Sequence, residues 1–264
     1  MKENKTPKSK EKMTEWRLLK TGFNDAFTNM AIDEAISKMH SEIKKPTIRF
    51  YGWNPSAISI GYFQGLKEEV EIQKCEELGV DIVRRITGGG AVFHEKELTY
   101  SFVCSEESGI VSKNILDSYI KICNSLVLGF KHLNLEAKFV PLNDIIVNGK
   151  KISGNAQTRR DKNVLQHGTI LMEVDVDKMF SMLLVPDEKM KGKLIENVKQ
   201  RVTSIENELN KKIEFETVSK AMQKGFEENF EIILMQEELT QEELKLAEKI
   251  REERFAKKEW NYKR

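Results

Sequence analysis

Only three of the 264 residues are cysteine, and Cys75, Cys104 and Cys123 are too scattered to form a CxxC pair. An odd, widely spaced set excludes a disulfide framework and a structural zinc site, and it fits a reducing compartment. No apolar run is long enough to span a bilayer. The first thirteen residues carry five lysines but no hydrophobic segment, which excludes a secretory signal and reads as a disordered basic tail. Charge of one sign is also lacking: 43 Lys and Arg face 42 Asp and Glu, for a formal net charge of +1. A general nucleic-acid or membrane-surface binder would carry a basic excess. Internal repeats and Gly/Ser-rich linkers are missing too. What is there, 39% hydrophobic and 32% charged residues, describes a globular protein of one or two domains, placed in the cytoplasm.

The pattern predicts strands at residues 16–19, 47–53 and 56–62, the last two split by the turn signal Asn54-Pro55. Asn24 is positioned to cap a helix reaching His40. A charged helix over 68–78 is stopped by Gly79, and strands follow at 81–85 and 98–104. The spacing predicts a strong helix over 114–132, three strands at 137–141, 144–147 and 151–153, and another at 164–174. From Val176 onward the reading is helical, with an extended stretch near 212–215 and a solvated charged helix over 240–257. Hairpin strands mixed with helices indicate an α+β fold, with mixed and antiparallel sheets flanked by helices.

Two stretches carry candidate chemistry. One runs Arg84-Arg85-Ile86-Thr87-Gly88-Gly89-Gly90-Ala91-Val92-Phe93-His94. The other is Asn148-Gly149-Lys150-Lys151-Ile152-Ser153-Gly154-Asn155-Ala156-Gln157-Thr158-Arg159. Glycines permit positive φ and close approach of a ligand, and neighbouring cations suit an anion such as phosphate. Neither stretch is a known nucleotide loop by spacing. Asn155 stands where a Walker lysine would be, and Phe93 occupies the third glycine position of a dinucleotide fingerprint. Arg84 and Arg85 are consecutive on a strand, so one should face a ligand and the other the surface. No metal cluster forms among the four histidines, and no Gly-x-Ser-x-Gly elbow is present.

The ordered set formed by 29–35, 49–53, 84–94, 98–101, Asn143-Asp144, 151–156 and Gln166-His167-Gly168-Thr169 resembles the lipoate–protein ligase and octanoyltransferase family. That family shares the biotin/lipoate ligase catalytic-domain fold. The resemblance implies a catalytic domain over 14–264 after the tail at 1–13, without the accessory domain that many members append. It places Arg85, Thr87, Gly88, Gly89, Gly90 and His94 around an adenylate and lipoyl pocket. Asn143, Asp144, Ser153, Gly154, Ala156, His167, Gly168 and Thr169 would form the opposing wall. Trp53, Ala91 and Phe93 would line the acyl slot, and Lys151 would be the central catalytic lysine.

The expectation is an ATP-dependent ligase that activates lipoate to lipoyl-adenylate, with Mg²⁺ at Asp144. It would pass the acyl group to lysines of 2-oxoacid dehydrogenase acyltransferase domains or a glycine-cleavage H protein, with a separate accessory subunit as a further partner. The alternative is octanoyl or lipoyl transfer from a carrier-bound donor without ATP. Cysteine-dependent transferases resembling this chain carry their nucleophile just before the Asn-Asp segment, where residues 138–142 contain no cysteine. That absence favours the ligase. A non-catalytic binding module ranks last, since binding alone does not need so many charge-stabilising groups.

Overall fold

The computed structural model describes residues 13–184 and 191–263. The basic-tail expectation falls on residues 1–12 outside that range, apart from exposed Met13. The first half of the chain forms β1 (Thr14–Asn24), α1 (Ala26–Ile43), β2 (Thr47–Trp53), β3 (Ala57–Ile60), α2 (Leu66–Glu69), α3 (Ile72–Glu77), β4 (Asp81–Arg84), β5 (Val92–His94) and β6 (Glu97–Ser105). Next come α4 (Ile115–Lys131), β7 (Ala137–Val140), β8 (Asp144–Val147), β9 (Lys150–Arg160) and β10 (Asn163–Leu171). The remainder holds α5 (Val176–Met182), α6 (Lys191–Arg201), α7 (Ile205–Leu209), α8 (Phe215–Phe230), β11 (Ile232–Glu237), α9 (Gln241–Ile250), a π-helical turn (Arg251–Phe255) and α10 (Lys258–Asn261).

Eight strands make one mixed sheet in the order β11-β1-β2-β6-β10-β9-β8-β7, and β4-β3-β5 make a second, smaller one. The α+β expectation with mixed sheets holds. Strand alternation sorts the large sheet's side chains into two cores. Leu18, Phe50, Phe102 and Val164 pack on one face with Leu126 and Phe130 of α4 and Met222 and Phe226 of α8. Their chain neighbours Leu19, Tyr51, Val103 and Leu165 turn to the other face, against Met30, Ala31 and Ala35 of α1 and Ala247 and Ile250 of α9. The small sheet has its own core, where Ile58 and Ile60 meet Leu66, Cys75 and Met182.

Several local expectations need correction. The helix predicted over 68–78 is two short helices, because Val70 is extended and bridges to Leu183. Asp25, not Asn24, caps α1 through a side-chain bond to the Thr28 amide. The helical reading after Val176, interrupted only near 212–215 and falling in part on 185–190 outside the described residues, misses β11. There Ile232 and Leu234 are buried while Ile233 and Met235 are exposed, alternating as they pair in parallel with β1.

The segment over 240–257 is exposed on most of its surface, as expected, but its inner face is firmly anchored. Thr240 and Glu243 form a reciprocal capping box, and Ala247, Ile250 and Phe255 are buried. Glu243 also receives two bonds from Arg17 of β1, at 2.7 and 2.6 Å, with both side chains buried. Removing one partner of such a pair leaves an uncompensated charge in the interior. Glu243→Ala is expected to cost about 3–5 kcal/mol of stability, read as a lower urea midpoint.

Candidate active site

A cavity of about 300 Å³ lies between the small sheet and the large one. The small sheet contributes Ser59, Arg85, the glycine turn, Phe93 and His94. The large sheet contributes Tyr51, Trp53, Thr99, Lys151, Gly154, Asn155, Ala156, His167, Gly168, Thr169 and Leu171. Asn143, and Met179 with Val202, complete the wall. A larger open groove of about 800 Å³, lined by His40, Lys44 and Lys121 among others, sits at the other ends of the same strands. It contains none of the expected site residues.

Arg85 organises the small-sheet wall. Its Nε donates to Thr87 Oγ1, Nη1 to the Ser59 carbonyl and hydroxyl, and Nη2 to the Gly88 and Gly90 carbonyls. Those contacts engage all five guanidinium N–H groups. Burial pushes its pKa down to about 10, still cationic at neutral pH. The turn it grips needs glycine at Gly89, where φ is +100°. Arg84 is fully buried rather than the surface residue expected of one of the pair. It binds the carbonyls of Gly61, Tyr62 and Gln64, and those of Trp260 and Asn261 in α10.

Two carboxylate–imidazole–hydroxyl chains converge on Arg85. In one, Asp33 takes bonds from Arg49, Tyr51 and Ser101, and His167 Nδ1 lies 3.2 Å from its second oxygen. His167 Nε2 is 2.8 Å from Thr87 Oγ1. In the other, Glu97 Oε1 is 2.8 Å from His94 Nδ1, and His94 Nε2 is 2.7 Å from Ser59 Oγ. Each Nδ1 faces a carboxylate, which only accepts, so in the neutral rings Nδ1 carries the proton and each Nε2 is left to accept from its hydroxyl. His94 stacks on Trp53, with centroids 4.0 Å apart, and Trp53 Nε1 donates to Thr99 Oγ1.

Burial raises the Asp33 pKa, but Arg49 and His167 outweigh it, and the net value lies below the ordinary 3.8. For His167 burial dominates over the attraction of Asp33 and holds the ring below its ordinary 6.5.

Lys151 enters the cavity at an irregularity in β9. Asp144 pairs with Gly154 and Ile145 with Ser153, but Ile146 pairs with Lys151, leaving Ile152 as an extra residue. Such bulges re-aim side chains beside functional sites. The Lys151 ammonium forms an ion pair with Asp144 at 2.7 Å, without an aligned hydrogen bond to that oxygen. It also lies where only glycine leaves room, since a Cβ on Gly154 would sit 2.9 Å from Lys151 Nζ.

Of the expected site residues, Thr87, Gly88, Asp144 and Ser153 do not line the cavity. Thr87, Gly88 and Asp144 instead hold residues that do. Ser153 is buried beside Asn155 Nδ2 at 3.4 Å. The cation expected at Asp144 meets no group of metal ligands among the described residues, and Arg85 is not free to grip a phosphate. Asp144 is matched to Lys151, Arg85 has no N–H left over, and no group of three metal-ligating side chains occurs among the described residues. Ser59 was missed, because no motif marks a serine inside a short apolar strand.

No cysteine lines the cavity. Cys104 in β6 and Cys123 in α4 are both buried in the core on the α4 and α8 side, and Cys75 lies in the small-sheet core. Burial pushes the Cys104 and Cys123 thiols up to about 12 and Cys75 to about 11. None is poised as a thiolate.

Comparison with known proteins decides the family. The sequence model of the lipoyl protein ligase A/B catalytic domain matches residues 25–227. The chain belongs to this family. Octanoyltransferase LipM of Bacillus subtilis (strain 168) is 37% identical over 273 residues, covering 94% of this chain and 98% of that protein. A bi-partite lipoate protein ligase solved with an archaeal lipoylation system from Thermoplasma acidophilum superposes with a TM-score of 0.87 at 30% identity, covering 94% and 96% of the two chains. Lipoate-protein ligase A bound with ATP gives 0.82 at 28% identity, covering 94% and 99%.

These relatives confirm the family and fold but correct the ATP-dependent ligase expectation. Proteins more than a third identical over nearly the whole chain are named octanoyltransferases, which agrees with the alternative. The inference from the missing cysteine is thereby overturned, although the absence itself is real.

Two outcomes follow from this geometry. Gly154→Ala should keep the fold, because the flexible end of Lys151 is what it displaces, while lowering activity through a misplaced ammonium. A folded variant with unchanged turnover would contradict that. Below pH 6.5 the unfolded chain protonates its histidines before the folded chain protonates His167. Stability is therefore full above that pH and falls below it, by up to about 1.4 kcal/mol per pH unit for this site. Asp33 adds a further loss only as pH falls through 3.8 and below. Urea midpoints from pH 7.5 to 5 should show the slope, and His167→Gln should reduce it, leaving the part due to His40, which burial also holds below 6.5.

Proposed function

We propose that this protein transfers a medium-chain acyl group, such as octanoyl, from a carrier-bound thioester to the ε-amine of a lysine on a lipoyl carrier domain, without ATP. The observation that supports this most is Lys151, held by Asp144 at the polar wall of a cavity whose other walls are largely apolar. Ala91, Phe93, Leu171, Val174 and Met179 supply a lining for an alkyl chain. The octanoyltransferase names of the relatives point the same way. The acceptors are lipoyl domains of 2-oxoacid dehydrogenase acyltransferase subunits or a glycine-cleavage H protein. The Thermoplasma neighbour's solved system includes an E2 lipoyl domain. A reducing cytoplasm suits the three free cysteines. Among the described residues, no helix is long and apolar enough to cross a membrane.

In this reading Lys151 stabilises negative charge as it develops on the acyl oxygen. Asp144 holds the ammonium ready, so little reorganisation accompanies the reaction. The apolar residues Ala91, Phe93, Leu171, Val174 and Met179 shape the cavity and exclude water.

The test is octanoyl transfer from octanoyl-acyl carrier protein to an apo-lipoyl domain, with and without ATP. Transfer without ATP is expected, and a strict ATP requirement would overturn the reading. Lys151→Ala should fold normally and lower kcat by about 10²–10³-fold, the effect of removing one oxyanion donor. Near-normal turnover of that variant would remove Lys151 from its role.

A further inference from the structure

We infer that Ser59 is the nucleophile that carries the acyl group, activated by His94 and oriented through Glu97. This rests on the transferase reading above. A two-step transfer needs an acyl-accepting side chain in the cavity, and no cysteine is there. Ser59 is. Alternation along β3 sends Ile58 and Ile60 into the small-sheet core, while Ser59 faces the cavity between the sheets.

Its surroundings match the geometry of an activated serine. The hydroxyl is 2.7 Å from His94 Nε2, and His94 Nδ1 is 2.8 Å from Glu97 Oε1. Ser59 Oγ also accepts from Arg85 Nη1 at 3.1 Å, a cation that stabilises negative charge as it develops on that oxygen. Glu97 is buried, takes bonds from Thr99 and His94, and keeps its second oxygen without a partner. Placed there, the carboxylate orients the ring and attracts positive charge as it develops on His94. The parallel chain through Asp33 and His167 ends on Thr87, which does not line the cavity, so only the Ser59 arm is open to substrate.

The steps balance without a further reactant. Ser59 Oγ attacks the thioester carbonyl, and its proton moves to His94 Nε2. The C–S bond breaks, the thiolate takes that proton, and an octanoyl ester remains on Ser59. The neutral ε-amine of the acceptor lysine then attacks the ester, passing a proton to His94 as the C–N bond forms. The C–O bond breaks, and the proton returns to Ser59.

The experiment incubates the full chain with octanoyl-acyl carrier protein alone and reads the Ser59 peptide by mass spectrometry. A parallel arm measures transfer to an apo-lipoyl domain with and without ATP. The expected result is ATP-free transfer and an octanoyl adduct on Ser59 that survives neutral hydroxylamine, as an ester does and a thioester does not. Ser59→Ala, shown folded by its urea midpoint, should lose the adduct and slow transfer by roughly 10²-fold or more. Ser59→Cys should regain an adduct that is hydroxylamine-labile. Cys75→Ala, Cys104→Ala and Cys123→Ala should each keep the ester. Glu97 is a positioning residue, so Glu97→Gln should shift the acid limb of the kcat profile to lower pH, with Arg85, Glu97 and His167 the ionisable groups around His94. ATP-free transfer with no ester, or an unimpaired Ser59→Ala, overturns the role of Ser59 and leaves the transfer reading standing. Transfer that requires ATP overturns both.

Discussion

The site depends on one buried guanidinium. Arg85 carries a full charge into the gap between two sheets, and that charge is tolerable only because each of its N–H groups meets an oxygen. Those oxygens define the wall. Two are carbonyls of the glycine turn, one is the backbone of β3, and two are the hydroxyls of Ser59 and Thr87. Both hydroxyls accept from Arg85 and also meet an imidazole, so the guanidinium ties His94 and His167 to the same wall. A single residue thus joins the turn, the small sheet and the hydroxyls that meet two histidines.

The opposite wall works by a different device. There the ladder between β8 and β9 slips by one residue, and the slip sends Lys151 to the cavity rather than into the regular alternation. Gly154 leaves space for the lysine's end, and Asp144 supplies the counter-charge. The cation is half-exposed, so it is available to a substrate, whereas Arg85 is buried and saturated. The two basic residues that look alike in the sequence therefore have separate jobs: one builds the cavity and one meets what enters it.

The C-terminal segment explains how this arrangement is locked. Arg84 passes through the small sheet to the carbonyls of α10, Asn261 Oδ1 accepts from the Arg84 amide, and Trp260 Nε1 donates to its carbonyl. Glu243 of α9 reaches across to Arg17 of β1, and Arg254 pairs with Glu34 of α1. A stretch that reads as a charged, water-facing helix also acts as a strap, because Glu243, Arg251 and Arg254 reach partners more than two hundred residues away. Periodicity could not reveal this, because a charge buried against a distant partner has the same letter as one in water.

The sequence by itself determined the family resemblance, the α+β class, most of the central strands and the two stretches that face each other across the cavity. These are local or ordered features: glycines at a turn, alternating apolar residues, a lysine beside glycine. Tertiary structure alone decided that Arg84 is buried, that 232–237 pairs as an edge strand, and that Ser59 meets His94 and Glu97. Each depends on contacts between segments distant in the chain, such as β1 with β11 or α10 with β4. Side-chain spacing along one segment carries no information about such partners. The same holds for the serine of β3: only the folded cavity places the Ser59 hydroxyl beside the His94 imidazole.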